Sequence, residues 1–240
     1  MHTAKTIDLG LEAASKLKPM SSLRKTSFFA GLIYILTFIS IPTLSLYQPI
    51  HDPNYVLGSG PDKPIIIGGL LEIIVALSGI ATAIILYPVL KRQGERMALG
   101  LVAARVLEAS TIFLGVAFLL SAVTLRQESA GPDALVISRT LVILYDRIFT
   151  LGQSFIPAID DLLLGILLYK SRLVPRALSL IGIIGAFPLI AGFLGVLFGY
   201  IEFRSELSMI SAIMVAIFEF SLGIYLVVRG FKPSAITAGM

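Results

Sequence analysis

The sequence predicts an all-α, polytopic transmembrane helical bundle of six spans with both termini in the cytoplasm. Composition is the first reason. Of 240 residues, 56% are hydrophobic and only 14% charged, with a mean hydropathy of +0.92. Soluble domains carry about a quarter charged residues, so this chain has more apolar surface than a water-soluble fold of its size can hide. Apolar runs are the second reason, because a helix needs roughly 20 mostly apolar residues to cross the hydrocarbon core. The third is the placement of lysine and arginine between those runs.

Such runs cover residues 28–47, 64–90, 97–125, 149–169, 173–200 and 207–228. Each is apolar nearly all round, unlike the amphipathic helices of a soluble bundle. The segments and loops expected on one side of the membrane hold 13 Lys and Arg residues, and those on the other hold 5. The positive-inside bias puts the richer side, with both termini, in the cytoplasm of a bacterial-type inner membrane. Residues 1–27 then form a cytoplasmic or interfacial segment, 28–230 the bundle and 231–240 a cytoplasmic tail. The basic stretch at the start is too long for a cleavable signal peptide, and no small-residue cleavage site follows the apolar run. Ile7, Leu11, Ala14 and Leu17 share one face of a short interfacial helix, with a frayed tail as the alternative.

One region fits poorly. As a single helix, 134–169 spans about 54 Å, more than a bilayer needs. Asp146-Arg147 and Gly152 interrupt it, and Pro157 follows. Residues 134–145 therefore read as a separate interfacial piece, with a bent, protruding helix as the alternative. Small residues mark helix contacts: Gly68, Ala76, Gly79 and Ala83 line the face of Glu72, and Gly195 and Gly199 form a GxxxG pair with Gly185 and Gly192 further back. With no tryptophan in the chain, tyrosines such as Tyr47, Tyr87, Tyr169, Tyr200 and Tyr225 are left to form the interfacial belt.

Several chemistries are excluded. No cysteine is present, which rules out disulfides, thiolate catalysis and Cys-ligated metals. With only His2 and His51, no histidine-rich metal site is expected. The net charge of +4 is spread over short loops rather than over one polar face, so nucleic acid is not an expected partner. No phosphate loop, nucleophile elbow or HExxH occurs. Asp160-Asp161 lacks the DDxxD or NDxxxD pattern of magnesium–diphosphate sites. Neither metal nor cofactor is expected; membrane lipids are, along with a small-molecule or cationic ligand.

The candidate site is a set of charges where charges are costly: Glu72, Arg105, Glu108, Asp160, Asp161 and Glu219 all fall within spans. An Asp, Lys or Arg at a helix centre costs about 2.5–3.5 kcal/mol on insertion, so these residues should face inward and one another. Counting along the helices places Glu72 and Glu219 about 12 and 18 Å from the outer ends of their spans. Arg105 and Glu108 lie about 12–17 Å, and the aspartates about 12–14 Å, from the ends of theirs. Arg105 and Glu108 are i, i+3 neighbours and pair along one face. Asp160 and Asp161 are about 100° apart, so one of them is expected in the common site; Gln153 and Pro157 share the face of Asp160. Four or five carboxylates around one arginine cannot all be ionised and balanced. Either some are protonated or a cation shares the pocket.

Three readings follow. The lead is a pocket that binds or moves a cation, a proton or a small amphipathic molecule. The second is a membrane-embedded enzyme in which a desolvated carboxylic acid (Glu108, Glu219 or Asp160), tuned by Arg105, protonates a lipid or isoprenoid. The third is a structural or regulatory partner in which the charges only staple helix register.

Three stretches carry a family resemblance. Arg105-Val-Leu-Glu108-Ala109, Leu173-Val-Pro-Arg-Ala-Leu, and the run from Glu219 through Tyr225 to Phe231 resemble the bacterial membrane family designated domain of unknown function 4386. The likeness spans roughly residues 26–232. It implies a multi-span bundle and a role for Arg105, Glu108 and Glu219, and supplies no activity.

Overall fold

The computed structural model describes residues 20–239. The first 19 residues, including the stretch from Ile7 to Leu17, lie outside them. Among the described residues there are seven α-helices, with short 3₁₀ turns on either side of the second and near the chain end, and no strand. Helix α1 (Ser22–Leu36) continues through a 3₁₀ turn at Thr37–Ser40 into the single turn of α2 (Thr43–Leu46). The remainder are α3 (Lys63–Gln127), α4 (Ala134–Thr150), α5 (Ile156–Ser171), α6 (Arg176–Leu197) and α7 (Glu206–Val228). Five helical stretches are long and apolar enough to cross a membrane: Ser22–Leu46, Lys63–Gln127, Ala134–Ser171, Arg176–Leu197 and Glu206–Val228.

The 65 residues of α3 do not form one rod. A straight helix of that length would reach about 98 Å, some three times the hydrocarbon thickness. Gly94 leaves the helix as extended backbone (φ −176°, ψ 99°), and the chain folds back on itself there. The two limbs pack together through small residues. A Cβ at Gly69 would lie 3.1 Å from Val116, and one at Gly79 would lie 3.6 Å from the Arg105 side chain. On the opposite face of the first limb, Leu70, Leu77 and Ile84 recur every seventh residue and are more than half exposed. That stripe faces outward because lipid does not penalise it.

Residues 134–145 are not a separate piece. Helix α4 runs through Asp146-Arg147 to Thr150 and joins α5 by one π turn, Leu151–Phe155. The π turn has a local cause. Pro157 has no N–H to donate and its ring crowds the preceding turn, and widening that turn by one residue relieves the conflict without breaking the helix. Gly152 within it faces Thr111 of α3 so closely that no Cβ would fit.

The ends of the bundle differ. At one end, the start of α1, the Gly94 fold, the turn between α5 and α6 and the chain end meet. Arg24 donates to the Leu226 carbonyl at 2.9 Å, Lys232 N–H donates to Leu173 O at 2.7 Å, and Arg92 donates to Ile236 O at 3.2 Å. Leu86, Leu90, Leu101, Leu164, Leu168 and Leu222 belong to the apolar core that fills the bundle towards this end. At the other end, Arg126 grips both carboxylate oxygens of Asp62, to which the Tyr55 hydroxyl also donates at 2.6 Å.

The glycines divide by use. Gly185 faces Met214 and Gly192 faces Ser211, so the α6–α7 seam is built on them. Gly195 and Gly199 do not act as a GxxxG helix contact. Gly195 faces Ile201 of the following loop, and Gly199 lies past the end of α6 with φ +76° and open space where a side chain would go. It ends the helix as a left-handed residue. Tyr47 likewise is not in an interfacial belt: it is fully buried, with Gly68 against its ring and Tyr145 edge-on at 5.4 Å.

Candidate functional site

Arg105 is the centre of the site. It sits about a third of the way along the second limb of α3 and is only 5% exposed. Gly79 on the first limb leaves room for its side chain. One Nη donates to Glu108 Oε2 at 2.9 Å, one turn along the same helix. The other donates to Glu219 Oε1 of α7 at 2.6 Å. Its Nε lies 3.4 Å from Asp160 Oδ2 of α5. The ring of Tyr34 on α1 stands 5.8 Å from the guanidinium carbon, a cation–π distance. Four helices thus converge on one cation. Helix α6 adds no charge, but Leu189 forms part of the wall.

The six sequence candidates fall into three groups. Arg105, Glu108, Asp160 and Glu219 form the cluster, so three carboxylates, rather than four or five, lie within ion-pairing distance of the arginine. Asp161 is fully buried, and among the described residues neither of its oxygens has a hydrogen-bond partner. Glu72 stands apart. Its Oε1 accepts a 2.8 Å bond from the Tyr145 hydroxyl, while Oε2 has no partner. It lies about 10 Å along the first limb from Gly79, toward the end that carries Asp62.

Arg105, Glu108 and Glu219 open onto a cavity of about 230 Å³, whose wall includes Thr37 and Phe38 of the 3₁₀ turn, Gln153 of the π turn, and Ala216. Glu108 Oε2 and Glu219 Oε1 are engaged by Arg105, the Asp160 carboxyl also stands within hydrogen-bonding reach of Glu108, and among the described residues no donor reaches the other oxygen of Glu219. The site therefore presents carboxyl oxygens to a small space near the middle of the bundle.

Sequence reading missed a second cluster toward the end of the bundle that carries Asp62. Arg204 has a left-handed backbone (φ 61°), and its guanidinium lies within 6 Å of the rings of Tyr145, Phe149 and Phe203. His51 Nε2 sits 3.1 Å from Asp146 Oδ1 and 3.4 Å from Arg204. Arg204 reads in the sequence as an ordinary loop charge. Only the folding of its loop over α4 brings it among aromatic rings.

No curated protein and no solved structure matches the chain. A family model does, over residues 29–230. The matched stretch includes Arg105, Glu108, Asp160 and Glu219, and the chain belongs to the family described as Domain of unknown function (DUF4386).

Proposed function

We propose that the chain crosses an inner membrane six times, with its basic end cytoplasmic, and that the Arg105 cluster takes up positive charge from the cavity: a proton, a cation or a small amphipathic molecule that carries one. The two limbs of α3 count as two crossings, because each is long enough to span and the chain reverses between them.

One observation carries the functional reading. A single guanidinium faces Glu108, Asp160 and Glu219, with Asp161 buried beside them. Fully ionised, the group holds three negative charges in excess. An uncompensated buried charge is costly, so protons or a cation must neutralise it. A staple that only fixed helix register would need one acid for one base. The surplus, together with the cavity beside it, favours uptake.

Melting temperature of the purified protein tests this reading. Whatever neutralises the cluster stabilises the folded state by mass action, so stability rises with the concentration of protons or of the cation. Glu219→Gln removes one negative charge at constant shape and should flatten that dependence. Equal melting temperatures from about pH 5 to about pH 9, with and without added cations, in both proteins would reject uptake.

A further inference from the structure

The cavity at Arg105 adjoins a second one of about 360 Å³, with which it shares the walls Ile41, Gln153, Leu189, Ala212 and Ala216. The second cavity runs from there toward the outer end and finishes at Arg204. Its walls are largely apolar. Its opening follows from the path of the first span. The Phe38 ring meets Phe220 edge-on at 5.1 Å, and the chain then passes through the 3₁₀ turn and Pro42 into α2. Beyond that contact, Ile41 and Leu44 line one side of the cleft and Met209 and Ala212 the other. Ile41, Leu44 and Met209 are 59%, 48% and 47% exposed, so the cleft opens sideways, where lipid would be.

Resting on the uptake of positive charge argued above, we infer that the ligand is an amphipathic organic cation, with its charged group against Glu108 and Glu219 and its apolar body in the cleft between α2, α6 and α7. Charge complementarity selects the cationic group. Glu219 lines the cavity with one oxygen unengaged, and Glu108, 8% exposed, lines it beside Arg105. A bare metal ion fits poorly. Hard cations take about six or more oxygen ligands, whereas Arg105 already occupies one side of both carboxylates and the wall adds only the side-chain oxygens of Thr37, Ser40 and Gln153 among apolar residues such as Val75, Leu189 and Val215. An organic cation is weakly hydrated and loses little on meeting such walls. Arg204 at the far end repels a cation approaching along the cleft axis, which makes the sideways opening the entry. The combined space matches the few hundred Å³ of ordinary small-molecule sites.

Tetraphenylphosphonium and tetraphenylborate share size and shape and differ in sign, which makes them the probes for this site. Binding is measured on the protein in lipid nanodiscs, with empty nanodiscs as the partition control and with tetramethylammonium as a cation without an apolar body. The expected result is saturable tetraphenylphosphonium binding at least about tenfold tighter than that of either comparison ion. Glu219→Gln should weaken it about tenfold or more. Ala216→Phe, which places a ring in an exposed position of the cleft, should do the same. Equal binding of the two tetraphenyl ions, or no loss in Ala216→Phe, would overturn the amphipathic ligand. If pH or small cations still shift the melting temperature of the unsubstituted protein, uptake of charge stands without it. If neither they nor Glu219→Gln has any effect, both readings fall together.

Discussion

Arg105 and Glu219, 114 positions apart in the chain, meet at 2.6 Å in the middle of the bundle. The contact ties the hairpin of α3 to the last helix, and it does so by charge within an apolar interior. Removing one partner therefore costs more than the contact itself is worth, because the other is left buried and unpaired.

Arg105→Met should destabilise the protein by about 3–5 kcal/mol, since three carboxylates lose their common partner. Adding Glu219→Gln to it should recover part of that loss. The coupling in the double-mutant cycle, measured by reversible unfolding in detergent, should exceed about 1 kcal/mol. Additive losses would show that the two side chains do not share a site.

Orientation is open to a direct chemical test. The chain contains no cysteine, so each introduced one is unique. Ser59 and Ser205 lie at the Asp62 end of the bundle, and Gln93 adjoins the fold at Gly94 at the opposite end. With the basic end cytoplasmic, Ser59→Cys and Ser205→Cys should react with a membrane-impermeant thiol reagent in intact cells, and Gln93→Cys should not. Labelling of Gln93→Cys alone would invert the topology.

What the sequence made legible were properties that local chemistry controls. Apolar runs locate the helices because lipid imposes length and hydropathy directly on each one. The i, i+3 spacing brings Arg105 to Glu108, because helix geometry alone suffices for that pair. Tertiary pairing was not legible. Nothing local distinguishes Glu219, which reaches Arg105, from Glu72, which turns to Tyr145. The difference arises from the offset of Glu72 along its limb and from the position of α4. Tyr47 illustrates the same limit, since a tyrosine near a span end suits an interface until a glycine such as Gly68 lets the chain fold over it. The reversal at Gly94 was legible, since one apolar run stops at 90 and the next begins at 97, but its form was not. Good helix formers flank Gly94 on both sides, and the whole reversal is made by one extended residue.

The Asp62–Arg126 pair carries the acid sensitivity of its end of the bundle. Hydrogen bonds from Arg126 hold the Asp62 carboxyl down at about 2, with further help from Tyr55 and Gln127. A group held low in the folded state stabilises it fully above the unfolded value near 3.9 and loses that contribution as pH falls through the folded value. The pair lies near the surface, so screening keeps its worth to about 1 kcal/mol. Asp62→Asn should therefore melt lower than the unsubstituted protein above about pH 5, and the gap should close between about pH 4 and pH 2. A gap that persists undiminished at the acid limit would show that Asp62 contributes through something other than its charge.

Gly31 sets how closely the first and last spans approach. A Cβ there would lie 2.6 Å from the Gly223 carbonyl oxygen and 2.8 Å from the backbone nitrogen of Val227. Backbone cannot rotate aside as a flexible side chain can, so the helices must separate. Separation also strains a second contact, because Arg24, two turns before Gly31, caps the carbonyls of Leu226 and Val227. Alanine gains about 1 kcal/mol in helix propensity over glycine, against an overpacking cost of about 1–3 kcal/mol. The lost cap adds to the cost. Gly31→Ala should therefore destabilise by about 1–2 kcal/mol despite its better propensity. Gly60→Ala, where no atom lies within 4 Å, should change stability by less than about 0.5 kcal/mol. If the Arg24 cap depends on that close approach, Arg24→Gln in the Gly31→Ala background should cost less than in the unsubstituted protein. An equal cost in both would mean that the cap survives the separation and that the two contacts hold the helices independently.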